Sequence, residues 1–296
     1  MAEMTFLVIS CFILGAIIGS FLSVCIYRIP MGKYEPTREG IRELAHPVSL
    51  VSPPRSFCPQ CEVTLPWHHN IPIISWCMLR GRCAACHAAI PVRYPLLELL
   101  TAAFAVCCYL RFGCSLTALV AFVSVSALIV ITFIDIDYMI IPDLITYPGT
   151  AIGLALGAAS SLFPSSGVFP LRLPFVQSFA ESLLGIALGA GTLYLVWWLY
   201  LVIRKREGLG LGDIKLLAML GALFGYQCSL ATIFIGSVLG SIVGLLLVAL
   251  RRHNYSMHIS FGPYLAFAAV LYIFNFASLI HYLRGATPQT VWRAFQ

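Results

Sequence analysis

The sequence predicts an all-α polytopic membrane protein with about eight transmembrane helices and a small cytoplasmic zinc-binding domain between the first two. Of its 296 residues, 60% are hydrophobic and only 10% are charged, whereas soluble domains carry about 25% charged residues. The mean hydropathy is +0.91. Inside a bilayer, apolar runs of about 20 residues satisfy their backbone hydrogen bonds only as helices. These observations favour a membrane-embedded helical bundle.

Eight apolar segments are candidate membrane spans. They cover residues 5–27, 95–112, 115–134, 143–163, 178–203, 214–226, 228–250 and 262–283. The sixth is short and contains Gly221 and Gly225, so seven spans are the alternative, although small residues four apart also suit close helix packing. The first run is too long for the apolar part of a signal peptide and no basic residue precedes it, so we expect a retained first helix.

The positive charges predict the topology. With the N-terminus outside, all but four of the 18 Lys and Arg residues lie in cytoplasmic segments, as the positive-inside rule requires. The net charge of +6 therefore marks a membrane face, and we expect a lipid bilayer as partner and no nucleic acid. The predicted domains are a first helix at 1–27, a cytoplasmic loop domain at 28–94 and a membrane core at 95–296.

Four of the eleven cysteines form two Cys-x-x-Cys pairs inside the loop domain. Cys58 and Cys61 are separated from Cys83 and Cys86 by 21 residues, a spacing typical of two turns that converge on one tetrahedral zinc ion. Four thiolates leave no open coordination position, so the predicted zinc is structural. The alternatives are reduced or disulfide-paired cysteines, and a histidine in place of one cysteine. Those histidines are His68, His69 and His87.

All four aspartates of the chain lie in two short segments at the ends of apolar runs. Asp135, Asp137 and Asp143 surround the end of the third span and the start of the fourth, and Asp213 begins the sixth. The chain crosses the membrane twice between the two segments, which returns Asp213 to the face that carries Asp135. The pair can therefore meet despite a separation of 78 residues.

Two neighbouring carboxyl groups suit peptide hydrolysis, because close like charges resist double ionisation. One group stays protonated and polarises the scissile carbonyl, while the other activates water. We take Asp135 and Asp213 as the candidate catalytic pair. The structural alternative makes Asp143 and Asp213 helix N-caps and leaves Asp135 and Asp137 as interfacial helix ends. For Asp143 we favour the cap, and for Asp137 an interfacial or supporting role.

Several motifs together resemble the GxGD membrane aspartyl proteases, and within them the bacterial type IV prepilin peptidases. The first is Gly210-x-Gly212-Asp213, joined to an aspartate seven residues before Pro142. The others are Gly19-Ser20-Phe21-Leu22 with Tyr27-Arg28, both cysteine pairs, Asn70-Ile71-Pro72, Leu79-Arg80-Gly81-Arg82-Cys83, Arg93-Tyr94-Pro95 and Phe261-Gly262-Pro263-Tyr264. The resemblance covers nearly the whole chain.

This resemblance implies cleavage of the leader from type IV prepilins or type II secretion pseudopilins at the cytoplasmic face of the bacterial inner membrane. The catalytic aspartates of that family match Asp135 and Asp213. Members with the cysteine-bearing loop also N-methylate the new N-terminus with S-adenosylmethionine, which implies the same second activity here. The chain departs from the family pattern at Ser23, His69 and Pro91, within or beside segments tied to methylation.

The binding residues for S-adenosylmethionine stay unassigned, because no glycine-rich nucleotide fingerprint follows a strand. Glu43 and Glu62 in the loop are read as solvated surface. Gly81 occupies a family position associated with methylation, but a turn glycine before a zinc-binding turn would look the same.

Two other classes of protein predict different behaviour. A transporter would use the aspartates to relay ions, but it would place them near the bilayer midplane within inverted repeats. A membrane scaffold would dock partners through the zinc loop, and it would function without both aspartates.

Overall fold

A computed structural model describes residues 2–31, 49–162, 178–205, 210–250 and 260–283, with the side chains of Ala2, Met31 and 275–283 left aside. The helices in this part of the chain are α1 Ala2–Met31, α2 Ile74–Met78, α3 Arg93–Phe112, α4 Leu116–Tyr138, α5 Asp143–Leu162, α6 Phe179–Arg204, α7 Leu211–Ala249 and α8 Gly262–Leu283. A 3-10 turn covers Trp67–Asn70. The described residues contain no β-strand, only two isolated bridges.

Five of the described helices are long and apolar enough to cross a membrane: α1, α3, α4, α6 and α7. Helix α5 spans 20 residues, and the described apolar part of α8 covers Gly262–Phe274. The all-helical, multi-pass architecture expected from the sequence is confirmed.

Helix α7 joins the sixth and seventh predicted segments. It runs for 39 residues and is interrupted only at Gly225, whose backbone is non-helical at φ 78° and ψ 177°. A left-handed φ is easily reached only by glycine, so Gly225 supplies the kink between two helical halves. Gly221, one turn earlier, lies directly against Gly185 of α6, as expected for small residues at a close helix contact.

The chain divides into two compact units, residues 1–134 and 135–296. In the N-terminal unit α1 packs along α3, with Gly15 against the Ala102 backbone. In the C-terminal unit α7 is the central helix and contacts α5, α6 and α8. Several apolar side chains of its first half are fully buried, among them Leu216, Leu220 and Phe224. The predicted domain boundaries after residues 27 and 94 remain a prediction.

The bounds of two helices differ from the predicted segments where polar residues continue a helix. Helix α1 extends to Met31, beyond the predicted end at residue 27, and α4 extends to Tyr138. Asp135 and Asp137 therefore lie within the last turn of α4 instead of following it. The apolar run ends at residue 134, but the intrahelical hydrogen bonds continue for one more turn, because a carboxylate at a helix end does not interrupt them.

Candidate functional sites

Asp135 occupies the last turn of α4, where the chain makes a tight turn toward α5. Met139 adopts a left-handed φ of 55°, and its N–H donates to the Asp135 carbonyl at 2.9 Å, which ends the helix as left-handed caps do. The Asp135 side chain is only 5% exposed. A buried carboxyl group at this depth requires hydrogen-bond partners.

Those partners come from the start of α8. The Ser260 hydroxyl donates a short hydrogen bond to Asp135 Oδ2, and the Gly262 N–H donates to the same oxygen at 3.0 Å. Gly262 is the first residue of α8, so the carboxylate sits at a helix N-terminus, where the helix dipole favours negative charge. A side chain at Gly262 would collide with the Asp135 carboxylate. The glycine is therefore required by this close approach.

Asp213 is the third residue of α7, and its side chain is 7% exposed. Gly210 is the N-cap, and its N–H donates back to the Asp213 carboxylate, as the third residue of a capping box does. The alternative in which Asp213 is the N-cap of this helix is therefore corrected. Gly210 is the N-cap, and Asp213 stabilises the helix start from within the first turn.

The structure brings Asp135 and Asp213 together at one site of the C-terminal unit. The two carboxyl groups are close enough to interact electrostatically. The buried Ile141 side chain contacts both neighbouring glycines, since Cβ positions at Gly212 and Gly262 would meet its atoms at 2.9 and 3.4 Å respectively. We call Asp135, Asp213, Ser260 and Gly262 the aspartate site.

The other two aspartates lie outside the aspartate site. Asp143 is the first residue of α5, and its carboxylate forms an ion pair with Lys215 at 2.7 Å. It is thus inside the helix and bound to a lysine, where the sequence predicts an N-cap. Asp137 is half-buried in the last turn of α4, two positions from Asp135, and residues two apart on a helix do not share a face.

The four cysteines converge in the N-terminal unit, within the segment 56–90 that we call the cysteine loop. Their sulfurs all lie within 4.8 Å of one another, and Cys58 Sγ is 3.8 Å from Cys86 Sγ. Zinc–sulfur bonds of about 2.3 Å place tetrahedral ligands about 3.8 Å apart. The donor set therefore fits a metal such as zinc, and no histidine of the described chain joins the cluster.

The cysteine loop contains two turns, one at each cysteine pair, that have the same pattern of backbone hydrogen bonds. The Glu62 N–H donates to the Cys58 carbonyl and the His87 N–H to the Cys83 carbonyl, at 2.8 and 3.0 Å. Both donors have left-handed φ angles, 56° and 57°. The isolated bridges Phe57–Thr64 and Arg82–Ala89 follow at the same offset. This short structural repeat is not visible in the sequence beyond the paired cysteines.

The backbone of the second turn favours the thiolate form of Cys83. The N–H groups of Cys86 and Ala85 donate to its sulfur and lower the pKa of the Cys83 thiol to about 7. A low pKa favours the thiolate, which is the form that coordinates metal.

Gly81 precedes this turn and meets two steric requirements. Its φ is +66°, and a Cβ atom would lie 2.9 Å from the Trp76 ring. The Trp76 Nε1–H donates to the Ile90 carbonyl at 3.1 Å, which holds the ring in that position. These contacts explain the glycine as a turn residue, while its predicted association with methylation stays a prediction.

Arg28, at the end of α1, anchors the approach to the cysteine loop. Its side chain is 5% exposed and donates to the carbonyls of Ser49, Leu50, Pro53 and Arg55 at 2.8–3.3 Å. These four carbonyls belong to an irregular segment and have no partner within a helix or strand. The single Arg28 guanidinium supplies their hydrogen-bond donors.

The structure gives contacts to three further residues for which the sequence predicts no role. Ser260 and Lys215 carry no local signal, because their partners are distant in the chain. Glu98 does carry one: it is a carboxylate inside the apolar helix α3, a placement that usually marks function. It is 7% exposed and accepts the Ile73 N–H at 2.7 Å.

Comparison with known proteins covers both units. Residues 13–112 match the family model of the bacterial Peptidase A24 N-terminal domain, and residues 122–245 match the type IV leader peptidase family. The chain is 37% identical over 268 residues to a prepilin leader peptidase/N-methyltransferase of Aeromonas hydrophila, an alignment that covers 87% of each chain. A protein of the same name from Pseudomonas putida is 36% identical, with 86% of each chain covered.

A third relative of that name, from Xanthomonas campestris pv. campestris, is 35% identical over 281 residues, which cover 92% of this chain and 93% of the relative. No solved structure matches the chain significantly. The matched regions contain the cysteine loop, Asp135 and Asp213. With this identity over almost the full length of its relatives, the chain belongs to the type IV leader peptidase family.

Proposed function

We propose that the protein removes the leader from type IV prepilins or type II secretion pseudopilins and then N-methylates the new N-terminus. Its relatives carry both activities in their name, prepilin leader peptidase/N-methyltransferase. Its membrane helices are those of a multi-pass protein. The placement of positive charge supports a location in the bacterial inner membrane with the aspartates and the cysteine loop on the cytoplasmic side. Family membership does not favour the transporter or scaffold alternatives.

For cleavage we assign Asp135 and Asp213 as the catalytic pair, with different roles. Two donors bind Asp135 Oδ2 at a helix N-terminus, and hydrogen bonds of this kind favour a charged carboxylate. Asp135 is therefore the general base. Among the described residues, Asp213 receives one hydrogen bond, from the Gly210 N–H, and it lies beside a second carboxyl group. It is therefore the partner that carries the shared proton.

In the cleavage step a water molecule bound to Asp135 attacks the scissile carbonyl carbon. Asp135 takes the water proton, and Asp213 donates its proton to the carbonyl oxygen, so that a neutral tetrahedral species forms. Its collapse breaks the carbon–nitrogen bond, and the proton held by Asp135 passes to the leaving amine. Asp213 recovers its proton from the hydroxyl group, and the pair returns to its starting state.

For the cysteine loop we propose a structural zinc ion bound by Cys58, Cys61, Cys83 and Cys86. The spacing of the four sulfurs supports this assignment. The ion would hold the two turns together and take no part in cleavage, because four thiolates fill its coordination sphere. S-adenosylmethionine would supply the methyl group for the second activity.

The convergence of two buried carboxyl groups at the aspartate site carries the proposal. Its test is leader removal from a prepilin in detergent, measured by mass spectrometry for the wild type, Asp135→Asn and Asp213→Asn. We expect each substitution to slow cleavage about 10²–10⁴-fold, the usual contribution of a general acid or base. Asp137→Asn, which changes a carboxylate in the same helical turn, is the matched control.

Methylation of pilin that has already been cut is scored in the same samples. Methylation retained by both variants would separate the two activities. Wild-type cleavage rates in Asp135→Asn and Asp213→Asn would remove the aspartyl mechanism.

A further inference from the structure

The N-terminal unit contains a cavity of about 350 Å³ beside the cysteine loop. Its wall is formed by the end of α1, the cysteine loop and the start of α3, and Cys58 and Cys83 are part of it. The volume lies within the range of small-molecule sites, about 300–1,000 Å³. The aromatic residues Tyr27, Trp76 and Tyr94 line it, which suits a ligand with a flat heterocycle or a positive charge.

Glu98 is the only carboxylate among the described residues that line this cavity. It is buried, and it accepts hydrogen bonds from the Ile73 N–H at 2.7 Å and from the Ser20 hydroxyl. No cationic side chain of the described chain pairs with it, since the nearby Arg28 donates instead to the carbonyls of residues 49–55. Buried carboxylates are usually paired with a positive charge.

The residue that contacts Glu98 is held in an unusual conformation. Ile73 has φ 61° and ψ −48°, which is a genuine outlier for a β-branched side chain. Strain of this kind persists where the surroundings enforce it, and it concentrates at functional sites. Here it aims the Ile73 N–H at the Glu98 carboxylate.

A second polar group in the wall has no hydrogen-bond partner among the described residues. The His69 Nδ1 atom is buried and makes no hydrogen bond, although His69 lines the cavity. Most buried polar atoms are satisfied, and an exception indicates a missing partner. Within the described part of the chain, the cavity thus offers a carboxylate without a cationic partner, an imidazole nitrogen without a hydrogen bond, and aromatic side chains.

We infer that this cavity binds S-adenosylmethionine, with the sulfonium charge beside Glu98 and the adenine among the aromatic side chains. The inference rests on the proposed methyltransferase activity and locates its site. In methyl transfer the carbon–sulfur bond of the donor breaks as the carbon–nitrogen bond to the pilin α-amine forms. The donor leaves as neutral S-adenosylhomocysteine, and the methylated amine loses its extra proton to water.

The test compares two ligands that differ in charge. Full-length protein in detergent is titrated with S-adenosylmethionine and with S-adenosylhomocysteine, which lacks the positive sulfonium, and both dissociation constants are measured by equilibrium dialysis. For Glu98→Gln we expect the affinity for S-adenosylmethionine to fall about tenfold or more, because an ionic contact is lost. S-adenosylhomocysteine should bind as before. Glutamine still accepts the Ile73 N–H, so retained binding of the neutral ligand also reports an intact cavity.

Two further variants test the location. Ser23→Trp projects a large side chain from α1 into the cavity and should abolish binding of both ligands, whereas Glu62→Gln, at an exposed residue outside the wall, should change neither. Photolabelling of the wild type with methyl-labelled S-adenosylmethionine, mapped by mass spectrometry, should mark segments 20–28, 56–60 or 69–98.

Three results would overturn the inference while the proposed function stands. The first is an equal loss of affinity for both ligands in Glu98→Gln, and the second is unchanged affinity for both ligands in Glu98→Gln and Ser23→Trp. The third is a photolabel on other segments of a wild-type protein that methylates pilin. A wild type that cleaves prepilin but binds neither ligand would remove the methylation half of the proposed function together with this site.

Discussion

The cysteine loop and the aspartate site are built in different ways. The cysteine loop draws its four sulfurs from one short segment, 56–90, whose two turns repeat the same backbone hydrogen bonds. The aspartate site draws its groups from the end of α4, the first turn of α7 and the start of α8, which are far apart in the chain. One site is held by local turns and thiolates, and the other by helix packing.

The two sites should therefore be disrupted by different kinds of change. A loop of this size has little apolar core of its own, so we expect its order to depend on the proposed zinc ion. Asp135 and Asp213 are buried in helices whose packing does not depend on them alone, and a single polar substitution should alter the chemistry of the aspartate site without unfolding it. Damage to one site should therefore leave the other working.

The largest effect should come from removing a metal ligand. We expect Cys58→Ser to abolish stoichiometric zinc and to reduce methylation below detection, because the loop that forms the cavity wall loses its cross-link. Cleavage should stay within about threefold of the wild type, as for independent sites. Zinc is measured by elemental analysis and both activities by mass spectrometry.

Cys77→Ser is the matched control, since Cys77 lies in the same loop outside the metal cluster. Equal loss of cleavage and methylation in Cys58→Ser would show that the two sites are coupled.

The second-largest effect is expected from the groups that donate hydrogen bonds to Asp135. Ser260→Ala removes one of its two donors, and hydrogen bonds to charged groups contribute about 1.5–3 kcal/mol. We expect cleavage to fall about 10–100-fold, with methylation of precut pilin unchanged. The measurement is the initial rate of leader removal.

Ser260→Thr keeps the hydroxyl and should restore most of that rate. If Ser260→Ala and Ser260→Thr behaved alike, the hydroxyl would have no part in cleavage.

A smaller effect is expected at the turn before the second cysteine pair. Gly81→Ala introduces a Cβ atom at a left-handed φ and against the Trp76 ring, which costs about 1–3 kcal/mol. We expect methylation to fall about tenfold, with a change in tryptophan fluorescence and zinc still bound.

Gly113→Ala separates the two causes, because Gly113 has the same φ of +65° but open space around it. Similar losses of methylation in both variants would exclude the Trp76 contact as the reason.

The smallest effect should follow from breaking the ion pair between α5 and α7. Lys215 and Asp143 are each about one-third exposed, and solvent screening limits such pairs to about 0.2–1 kcal/mol. We expect Lys215→Met to slow cleavage about two- to fivefold at low salt, and less at high salt. Asp143→Asn should give the same loss, and the double variant should lose no more than either single one.

Most of the helical architecture could be predicted from composition alone, since an apolar run in a bilayer can satisfy its own backbone hydrogen bonds only as a helix. The ion pair of Asp143 with Lys215 and the hydrogen bonds to Asp135 could not, because each depends on partners from other segments. Glu98 shows the opposite case. Its position inside an apolar helix was a signal in the sequence, but the ligand that we propose for it follows only from the cavity beside it.

Hydropathy and ligand spacing are local properties of the chain, and they were enough to predict the membrane class, the approximate spans, the paired cysteines and the two aspartates. Only the folded protein shows that Ser260 and Gly262 bind Asp135, that Lys215 binds Asp143, and that Glu98 faces a cavity. These contacts join residues far apart in the chain, and they form only when helix packing and loop closure bring hydrogen-bonding groups within reach.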